Sequence, residues 1–427
     1  MTPSVDDVQA IPTYQIDLDL PPNERYKDLA TELGPRMRAI TPLFNEVLAS
    51  VIPWASLCRI IEFFSSIVLR RVFSNEETKE LKGISKASGV DMYILVALNV
   101  LLDSLLGCTS GGVMVREKKR KGKQVVNEKR DPGTMMHFRT LDWGMDGLRD
   151  VLVVLEFVRS KSEEPEKVIA RAITYAGFVG VLTGVRENLS ISLNFRPNHT
   201  CSTLRLRAHQ ALVLFGFRPS VTSILRSTFL PSSRDATIPP LGDSVGTLSL
   251  KKTAPCYLTL CDGNQTFVIE KDLATANIRT SDAFIVITNH DTEPSEHIHD
   301  ENEKHSPVAG MEAWVEESEE RRACIQRKWD GMKRRHEKKL LINGEGAGGG
   351  GPSVREETLK KWVKAYPIMN ECSHFGCIMD PGTGIIRFLE RGVDRDDGMD
   401  DPDRPQRTLR GSLEIGQGGV DVNEPPA

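Results

Sequence analysis

Two short stretches carry side chains that could do chemistry together. An apolar run ends at Cys108 and is followed by the hydroxyl residues Thr109 and Ser110, and about 30 positions later Arg139 and Asp142 lie close together. A buried structural thiol is the usual role of an isolated cysteine. However, a cysteine that becomes the first residue of a chain after self-cleavage can pass its thiol proton to its own α-amine, whose reference pKa is ~8. The sequence predicts that Cys108 is such a nucleophile.

Composition limits the classes of partner. The 427 residues are 39% hydrophobic, which is enough to bury the core of one large domain or two. The net charge of −4 provides no basic field, so we expect no nucleic-acid partner. The eight cysteines are scattered, and the pairs Cys256/Cys261 and Cys372/Cys377 have wider gaps than most zinc pairs. We therefore expect core thiols, no metal and no cofactor.

Three regions of the sequence bear on targeting and membrane contact. Residues 1–7 lack the basic region and apolar core of a signal peptide, so a cytoplasmic or peripheral membrane location is favoured over a lysosomal or secreted one. The apolar window 92–106 is shorter than the ~18 residues of a membrane span and predicts a buried helix. The face from Ile60 to Leu69, flanked by arginines, is interpreted as core packing or, alternatively, as a lipid-docking surface.

The order of periodic patterns predicts an α+β fold. Apart from an alternating strand pattern at 14–20, residues up to 107 are helical in pattern and form an N-terminal α segment, whereas residues 108–393 are rich in strands and form the catalytic β part. Residues 205–230 are expected to be helical, and 394–427 to be a disordered tail. Insertions are expected at 116–132, 292–318 and 344–352. Strands are predicted at 151–158, 172–183, 189–193, 256–260, 266–269 and 283–287.

An ordered set of motifs spans about residues 14–390. The motifs are IDLDLPP at 16–22, CTS at 108–110, RTLDWG at 139–144, GFVGVLTG at 177–184, LNFR at 193–196, TNHD at 288–291, EERR at 319–322 and YPIMN at 366–370. In this order they resemble the acid ceramidase and N-acylethanolamine acid amidase family of N-terminal-nucleophile hydrolases. The resemblance implies an αββα sandwich, a fatty-amide lipid substrate, and self-cleavage between Gly107 and Cys108. It also implies that the α and β chains stay associated after the cut.

The resemblance also assigns roles to individual residues. Cys108 matches the nucleophile, Arg139 and Asp142 match the pair beside it, Asn289 the oxyanion-side asparagine, and Arg321 an arginine near the site. Physical sense agrees, because Arg139 can stabilise a thiolate and Asp142 can hold the new α-ammonium group. Residues three apart on a strand point to opposite faces, so a loop or bulge is expected if Arg139 and Asp142 serve one site.

The resemblance and the apolar side chains together suggest where a substrate binds. We expect Phe178, Leu182, Asn194 and Phe195 to line the substrate site. Phe195 stands where the family often has a glutamate, which removes a hydrogen-bond partner for a polar head group. Two classes of function remain. The first is a ceramide-hydrolysing amidase, with N-acylethanolamine as the competing substrate, and the second is a catalytically silent relative that binds lipid.

Overall fold

The structure is a computed structural model, and the described part of the chain is discontinuous. The predicted tail 394–427, most of the insertions at 116–132 and 344–352, and most of the apolar face 60–69 lie outside it. The described residues are 10–42, 65, 67–101, 107–116, 133–197, 199, 201–230, 239–292, 312–343 and 351–392.

Thirteen strands are present among the described residues, and most carry the β-branched and apolar side chains typical of strands. The first strand precedes the helical segment, and the others follow it. They are β1 Thr13–Asp17, β2 Gly107–Val115, β3 Thr134–Asp142, β4 Leu152–Val158, β5 Ala170–Tyr175, β6 Thr183–Arg186, β7 Leu189–Phe195, β8 Cys256–Cys261, β9 Thr266–Lys271, β10 Ala276–Ser281, β11 Phe284–Ile287, β12 Ser373–Asp380 and β13 Ile385–Arg391.

The described strands form two sheets that pack face to face. One sheet has the order β1-β4-β5-β6-β7-β8-β9-β10, and the other has the order β11-β2-β3-β12-β13. Only the β1–β4 pair is parallel among the pairs observed. Strand β2 contacts β7, β8 and β9 across the interface, and β12 contacts β6. The strand that carries Cys108 therefore lies against the middle of the larger sheet.

Helices cover the outer faces of both sheets. Helix α5 packs on β7 and α6 packs on β8 to β10, whereas α7 packs on β2 and β11 and α8 on β3 and β12. This is the αββα arrangement that the resemblance implied. The helices are α1 Lys27–Ala39, α2 Asn75–Ser88, α3 Met92–Leu101, α4 Thr203–Leu214, α5 Val221–Phe229, α6 Leu241–Leu250, α7 Glu312–Asn343 and α8 Glu356–Val363, and a 3₁₀ helix spans Asp146–Val151.

The described helices include none that is both long and apolar enough to cross a membrane. The apolar window at 92–106 contributes α3, whose Leu95, Val96 and Ala97 are buried in the main core. Of the arginine-flanked face, Leu69 is buried, whereas Ile67 and Val68 are 52% and 45% exposed. The described part of this face therefore does not pack entirely into the core.

Three expectations about local structure are corrected. The strand predicted at 172–183 ends at Tyr175, because Gly177 has a φ of 93° and Phe178 N–H donates back to the Tyr175 carbonyl. The helix predicted at 205–230 is two helices, since Gly216, with a φ of 70°, ends the first one. Strand β10 was missed because its side chains are mostly exposed and its pattern is polar.

The predicted insertion 292–318 is too long at its C-terminal end. Helix α7 begins at Glu312, and the Ser318 side chain is completely buried. Its hydroxyl accepts a hydrogen bond from Asn289 N–H at 2.6 Å and contacts His290 Nδ1 at 2.8 Å. The acidic composition of this segment hid the start of a helix that supports the candidate site.

Candidate active site

Cys108 is the second residue of strand β2 and is completely buried. The β2–β3 ladder is regular, pairing Gly107 with Asp142, Cys108 with Leu141, and Ser110 with Arg139. Residues opposite each other in such a ladder share a face, and neighbours along a strand alternate faces. The Cys108 and Arg139 side chains therefore point into the interface between the sheets, whereas that of Asp142 points outward, towards helix α7.

The inner face brings a cation to the thiol. Arg139 Nη2 lies 3.3 Å from Cys108 Sγ, and Arg139 Nη1 donates to the Leu193 carbonyl of β7 at 2.8 Å. Arg139 is fully buried, and no carboxylate among the described residues forms an ion pair with it. Its Nε also has no hydrogen-bond partner in the described part of the chain. A buried cation without a carboxylate favours an anion beside it, and the nearest acidic group is the Cys108 thiol.

Two opposing effects act on the thiol. Burial raises the pKa of Cys108 above its ordinary value, and the Asp142 charge adds to this rise. Arg139 and Arg321 oppose the rise, as does a hydrogen bond from the Asp142 backbone. The net direction is upward, so the thiol stays protonated in the uncut chain until a base takes its proton.

The backbone nitrogen of Cys108 is held from the other side. Strand β11 ends at Ile287, which pairs with Ser110, and the ladder does not continue to Cys108. Instead, Cys108 N–H donates to the Asn289 side-chain oxygen at 2.8 Å. Arg321 Nη2 donates to the same oxygen at 3.0 Å, and Arg321 Nη1 donates to Asp142 Oδ2 at 3.1 Å. The atom that self-cleavage would convert to an α-amine is thus linked to Arg321 and Asp142 through one amide oxygen.

The position of Asp142 differs from the expectation that a bulge brings it beside Arg139. The β2–β3 register has no break, and the irregularity lies in the neighbouring pair, between Ser373 and Phe375 of β12. The two oxygens of Asp142 accept from Arg321 and from the Ser373 hydroxyl. Burial raises the pKa of this carboxyl group, and the Arg321 charge opposes the rise. In the uncut chain, Asp142 therefore acts on the Cys108 nitrogen only through Arg321 and Asn289.

A series of hydrogen-bonded polar side chains leads away from Cys108 between the sheets, and the sequence analysis did not predict it. Asn194, an expected substrate-binding residue, is fully buried, and its Oδ1 accepts from Ser110 at 2.6 Å and faces Arg139 Nη1 at 3.4 Å. Ser192 donates to Ser110 at 3.0 Å, and its hydroxyl lies 2.9 Å from His137 Nε2. The sequence signal for this series of polar side chains was the alternation of polar residues on β2, β3 and β7, which places them on one face.

Among the described residues, the other three expected substrate-binding residues form no polar contact with Cys108. Phe178 and Leu182 are buried in the same hydrophobic core cluster as Cys108, next to helix α5, whose Thr222 carbonyl accepts from Val181 N–H. Phe195 packs half-buried against that cluster, and its carbonyl accepts from Asn289 Nδ2 at 2.8 Å. The structure thus places Phe195 directly beside Asn289 through its backbone.

A polar cleft of about 500 Å³ opens next to Asn289 and Arg321, and Cys108 does not line it. One wall follows Asn289 directly in sequence, and the other is a face of α7. The lining residues are His290, Asp291, Thr292, Glu319, Arg322, Ala323, Gln326 and Arg327. These polar side chains are unlike the apolar lining that an acyl chain requires.

Acid should destabilise the fold through protonation of His137. His137 bridges the Ser190 and Ser192 hydroxyls at 2.9 Å each, and burial lowers its pKa to about 3. The unfolded chain, with a reference pKa of ~6.5, then binds more protons between pH 6.5 and 3. We expect titration of His137 to leave the free energy of unfolding unchanged above pH 6.5. Below pH 6.5 this free energy should fall, with a slope approaching ~1.4 kcal/mol per pH unit.

Denaturant unfolding of Cys108→Ala protein across this pH range measures that loss. The matched variant Cys108→Ala/His137→Gln should show a shallower dependence on pH, because its amide can still reach both serines without titrating. Equal pH slopes for the two proteins would contradict the role assigned to His137.

Known proteins resemble parts of this chain. A family model described as the beta subunit of N-acylethanolamine-hydrolyzing acid amidase matches residues 9–73. The acid ceramidase of Heterocephalus glaber is 25% identical over 201 residues, covering 44% of this chain and 46% of the ceramidase. Human acid ceramidase is likewise 25% identical, over 202 residues, with the same two coverages. These similarities support the resemblance to the acid ceramidase and N-acylethanolamine acid amidase family.

Two further similarities extend over more of the chain. An uncharacterized protein of Acanthamoeba polyphaga mimivirus is 26% identical over 277 residues, which are 62% of this chain and 75% of that protein. A Caenorhabditis elegans N-acylethanolamine-hydrolyzing acid amidase ortholog superposes with a TM-score of 0.44 at 20% identity, covering 64% of this chain and 93% of that one.

Two features of the family match define what it covers. The chain spans about half the length of the acid ceramidases that it matches. The family model describes the segment that matches residues 9–73 as a beta subunit. We call residues 1–107 the N-terminal chain and residues 108–393 the C-terminal chain.

Proposed function

We propose that this protein is an amidase that cuts itself between Gly107 and Cys108 and then hydrolyses fatty N-acyl lipids with the Cys108 thiol. The observation that carries the proposal is the contact between Cys108 Sγ and Arg139 Nη2 at 3.3 Å in a fully buried site. Because no described carboxylate pairs with Arg139, the guanidinium charge is available to a thiolate.

Self-cleavage follows from the atoms around the Gly107–Cys108 bond. The Cys108 sulfur attacks the Gly107 carbonyl carbon, the C–N bond breaks, and the acyl group passes to sulfur while the Cys108 nitrogen takes a proton. Water then attacks the thioester and releases the Gly107 carboxylate and the free thiol. The new amine stays beside the Asn289 oxygen.

Turnover uses the same atoms a second time. The free α-amine of Cys108 takes the thiol proton, and the cations Arg321 and Arg139 favour its neutral form near neutral pH. The thiolate attacks the amide carbonyl of the lipid, the amine leaves with a proton, and water hydrolyses the acyl thioester. Asn289 Nδ2 can stabilise the oxyanion only if it exchanges the Phe195 carbonyl for the substrate oxygen.

The uncut chain keeps substrate away from the thiol. Cys108 is completely buried, and the polar cleft beside Asn289 is not lined by it. Separation of Gly107 from Cys108 frees the end of strand β2 and gives the chain before it a route to move. Lipid hydrolysis is therefore expected of the cut protein and not of the precursor.

The preferred substrate is a ceramide, with N-acylethanolamine as the second candidate from the same family. Each methylene of the acyl chain that is buried contributes ~0.8 kcal/mol, so acyl length should dominate binding to the core around Phe178 and Leu182. Phe195 removes a carboxylate from the position that the family often uses for a polar head group. An apolar side chain there favours the long sphingoid base over the small, polar ethanolamine.

Hydrolysis of ceramide and N-acylethanolamine of matched acyl length, over a range of pH, tests the substrate proposal. We expect a higher kcat/KM for the ceramide with the cut protein, and a Phe195→Glu variant should reduce the ratio of the two values. A clear preference for the ethanolamide would overturn the substrate assignment. If the cut protein hydrolyses neither lipid, the catalytically silent, lipid-binding alternative is favoured.

Contact with a lipid surface is proposed at an exposed apolar patch of the N-terminal chain and the α4–α5 connection. Ile67, Phe73 and Phe217 are 52%, 54% and 59% exposed. The Arg71 guanidinium lies 5.4 Å from the centre of the Phe217 ring, so cationic and apolar groups share the patch. This combination is typical of surfaces that rest on anionic bilayers.

Sedimentation with vesicles of anionic phospholipid measures this contact. The double variant Phe73→Ser/Phe217→Ser should bind vesicles at least several-fold more weakly, because two large apolar side chains no longer enter the interface. Leu250→Ser is the matched control, since Leu250 is 83% exposed on a different helix. Equal binding by the three proteins would refute the proposed patch.

A further inference from the structure

A second cluster of chemically capable side chains lies outside the Cys108 site. His199 and Cys201 follow strand β7 in the segment that leads to helix α4, and Asp272 follows strand β9 directly. One ligand atom from each of these residues lies within 4.8 Å of the other two. Cys201 Sγ is 3.3 Å from His199 Nδ1. Neither the family resemblance nor the proposed amidase chemistry uses any of the three.

We infer that His199, Cys201 and Asp272 form a zinc-binding site that fastens the segment after β7 to the end of β9. The donor set is one sulfur, one ring nitrogen and one carboxylate oxygen, which suits Zn²⁺. Ca²⁺ and Mg²⁺ prefer oxygen ligands alone, and so this set discriminates against them. Three protein ligands leave a fourth tetrahedral position for water.

Burial and charge around the cluster fit a bound dication. Asp272 is only 4% exposed, whereas His199 and Cys201 are half-buried, so the cluster combines a fixed buried ligand with an approach from solvent. Burial raises the pKa of the Cys201 thiol to about 11, and the neighbouring Asp272 adds to this rise. A dication between the two groups removes their mutual repulsion and displaces the thiol proton.

The nearby cations have other acceptors. Arg196 forms two hydrogen bonds with the Asp291 carboxylate and donates to the Lys271 carbonyl. Lys271 Nζ donates to the Ser249 carbonyl at 2.7 Å. Both cations act electrostatically on Asp272, yet their hydrogen bonds point to these other groups.

The position of the cluster gives zinc a structural role. Strand β7 carries Leu193 and Asn194, which contact Arg139, and it ends at Phe195, whose carbonyl accepts from Asn289. A metal bound to His199 and Cys201 would fix the chain just beyond this end to strand β9. Zinc should therefore stabilise the fold without taking part in amide hydrolysis.

Titration of metal-free full-length protein with Zn²⁺, against a competing chromophoric chelator, tests the inference. We expect one high-affinity equivalent per chain and a higher Tm with zinc. Binding at neutral pH should release one proton, measured by calorimetry in buffers of different ionisation enthalpy. Co²⁺ in place of Zn²⁺ should give a thiolate charge-transfer band.

Variants assign the signal to the cluster. Cys201→Ser and His199→Ala should each weaken Zn²⁺ binding by at least about 10-fold and remove the Tm shift, and Cys201→Ser should abolish the Co²⁺ band. Cys324→Ser is the control for a partly exposed cysteine elsewhere, on helix α7, and should bind as the parent does. Cys108→Ala should also bind normally, which separates this site from the proposed amidase.

Absence of a stoichiometric equivalent in the parent protein overturns the inference. So does unchanged binding by folded Cys201→Ser, or a signal that disappears in Cys108→Ala. Circular dichroism of each metal-free variant establishes that it is folded. Because the uncut Cys108→Ala protein is itself tested, failure of the amidase proposal would leave the zinc result interpretable.

Discussion

Cys108→Ala is expected to abolish both self-cleavage and lipid hydrolysis. Alanine can neither attack the Gly107 carbonyl nor carry an acyl group, so both reactions lose their nucleophile. The substitution should leave the fold intact, because the backbone hydrogen bond from Cys108 N–H to the Asn289 oxygen is retained. Denaturing gels and release of fatty acid from ceramide measure the two losses.

Cys377→Ala is the matched control for this variant. Cys377 is also completely buried, and it pairs with Arg139 on the neighbouring strand β12. Burial raises the pKa of its thiol to about 12, which makes it a poor nucleophile. We expect Cys377→Ala to cut itself normally with a stability loss of about 1 kcal/mol. Residual turnover in Cys108→Ala, or its loss in folded Cys377→Ala, would refute the assignment of Cys108.

Asn289→Ala should lower the rates of cleavage and turnover by about 100- to 1,000-fold, the effect of removing one well-placed polar group from an acyl-transfer site. The Asn289 side chain has two separable roles, as an acceptor through its oxygen and as a donor through its nitrogen. Its oxygen accepts from Cys108 N–H and from Arg321, and its Nδ2 donates to the Phe195 carbonyl. The loss should therefore have a part due to the acceptor and a part due to the donor.

Asn289→Asp distinguishes the two parts. The carboxylate keeps an oxygen for Cys108 N–H and for Arg321 but cannot donate to an oxyanion. If the oxyanion role holds, Asn289→Asp should lose turnover about as severely as Asn289→Ala while both proteins remain folded. Turnover close to that of the parent in Asn289→Asp would show that the oxyanion role is wrong and that Asn289 only holds the nitrogen.

The sequence predicted the architecture better than it predicted the contacts. Apolar patterns predicted strands such as those at 151–158 and 256–260, and the resemblance implied the two stacked sheets with helices outside. Strand β10 escaped because its side chains are largely exposed, so its pattern shows little apolar alternation. The acidic start of helix α7 escaped because nothing in its composition signals that Ser318 is buried against Asn289.

The candidate residues were predicted as a set, but their arrangement depends on tertiary contacts. Cys108 and Asn289 are joined by a hydrogen bond across 181 positions of sequence, and no local pattern encodes that pairing. In the uncut chain Asp142 is linked to the Cys108 nitrogen only indirectly, because its two oxygens accept from Arg321 and Ser373. Its contact with the α-amine of the cut chain stays a prediction. Similarly, His137 could be noticed as a titratable residue, but its bridge between Ser190 and Ser192 exists only once the sheets are stacked.

The most direct test of the central claim is the intact mass, with N-terminal sequencing, of purified protein that hydrolyses a lipid amide. We predict two associated chains, residues 1–107 and 108–427, the second beginning with Cys108. The free α-amine and the thiol should both belong to that residue. A fully active protein that remains one uncut chain, or that is cut so that Cys108 is not a first residue, would contradict the account.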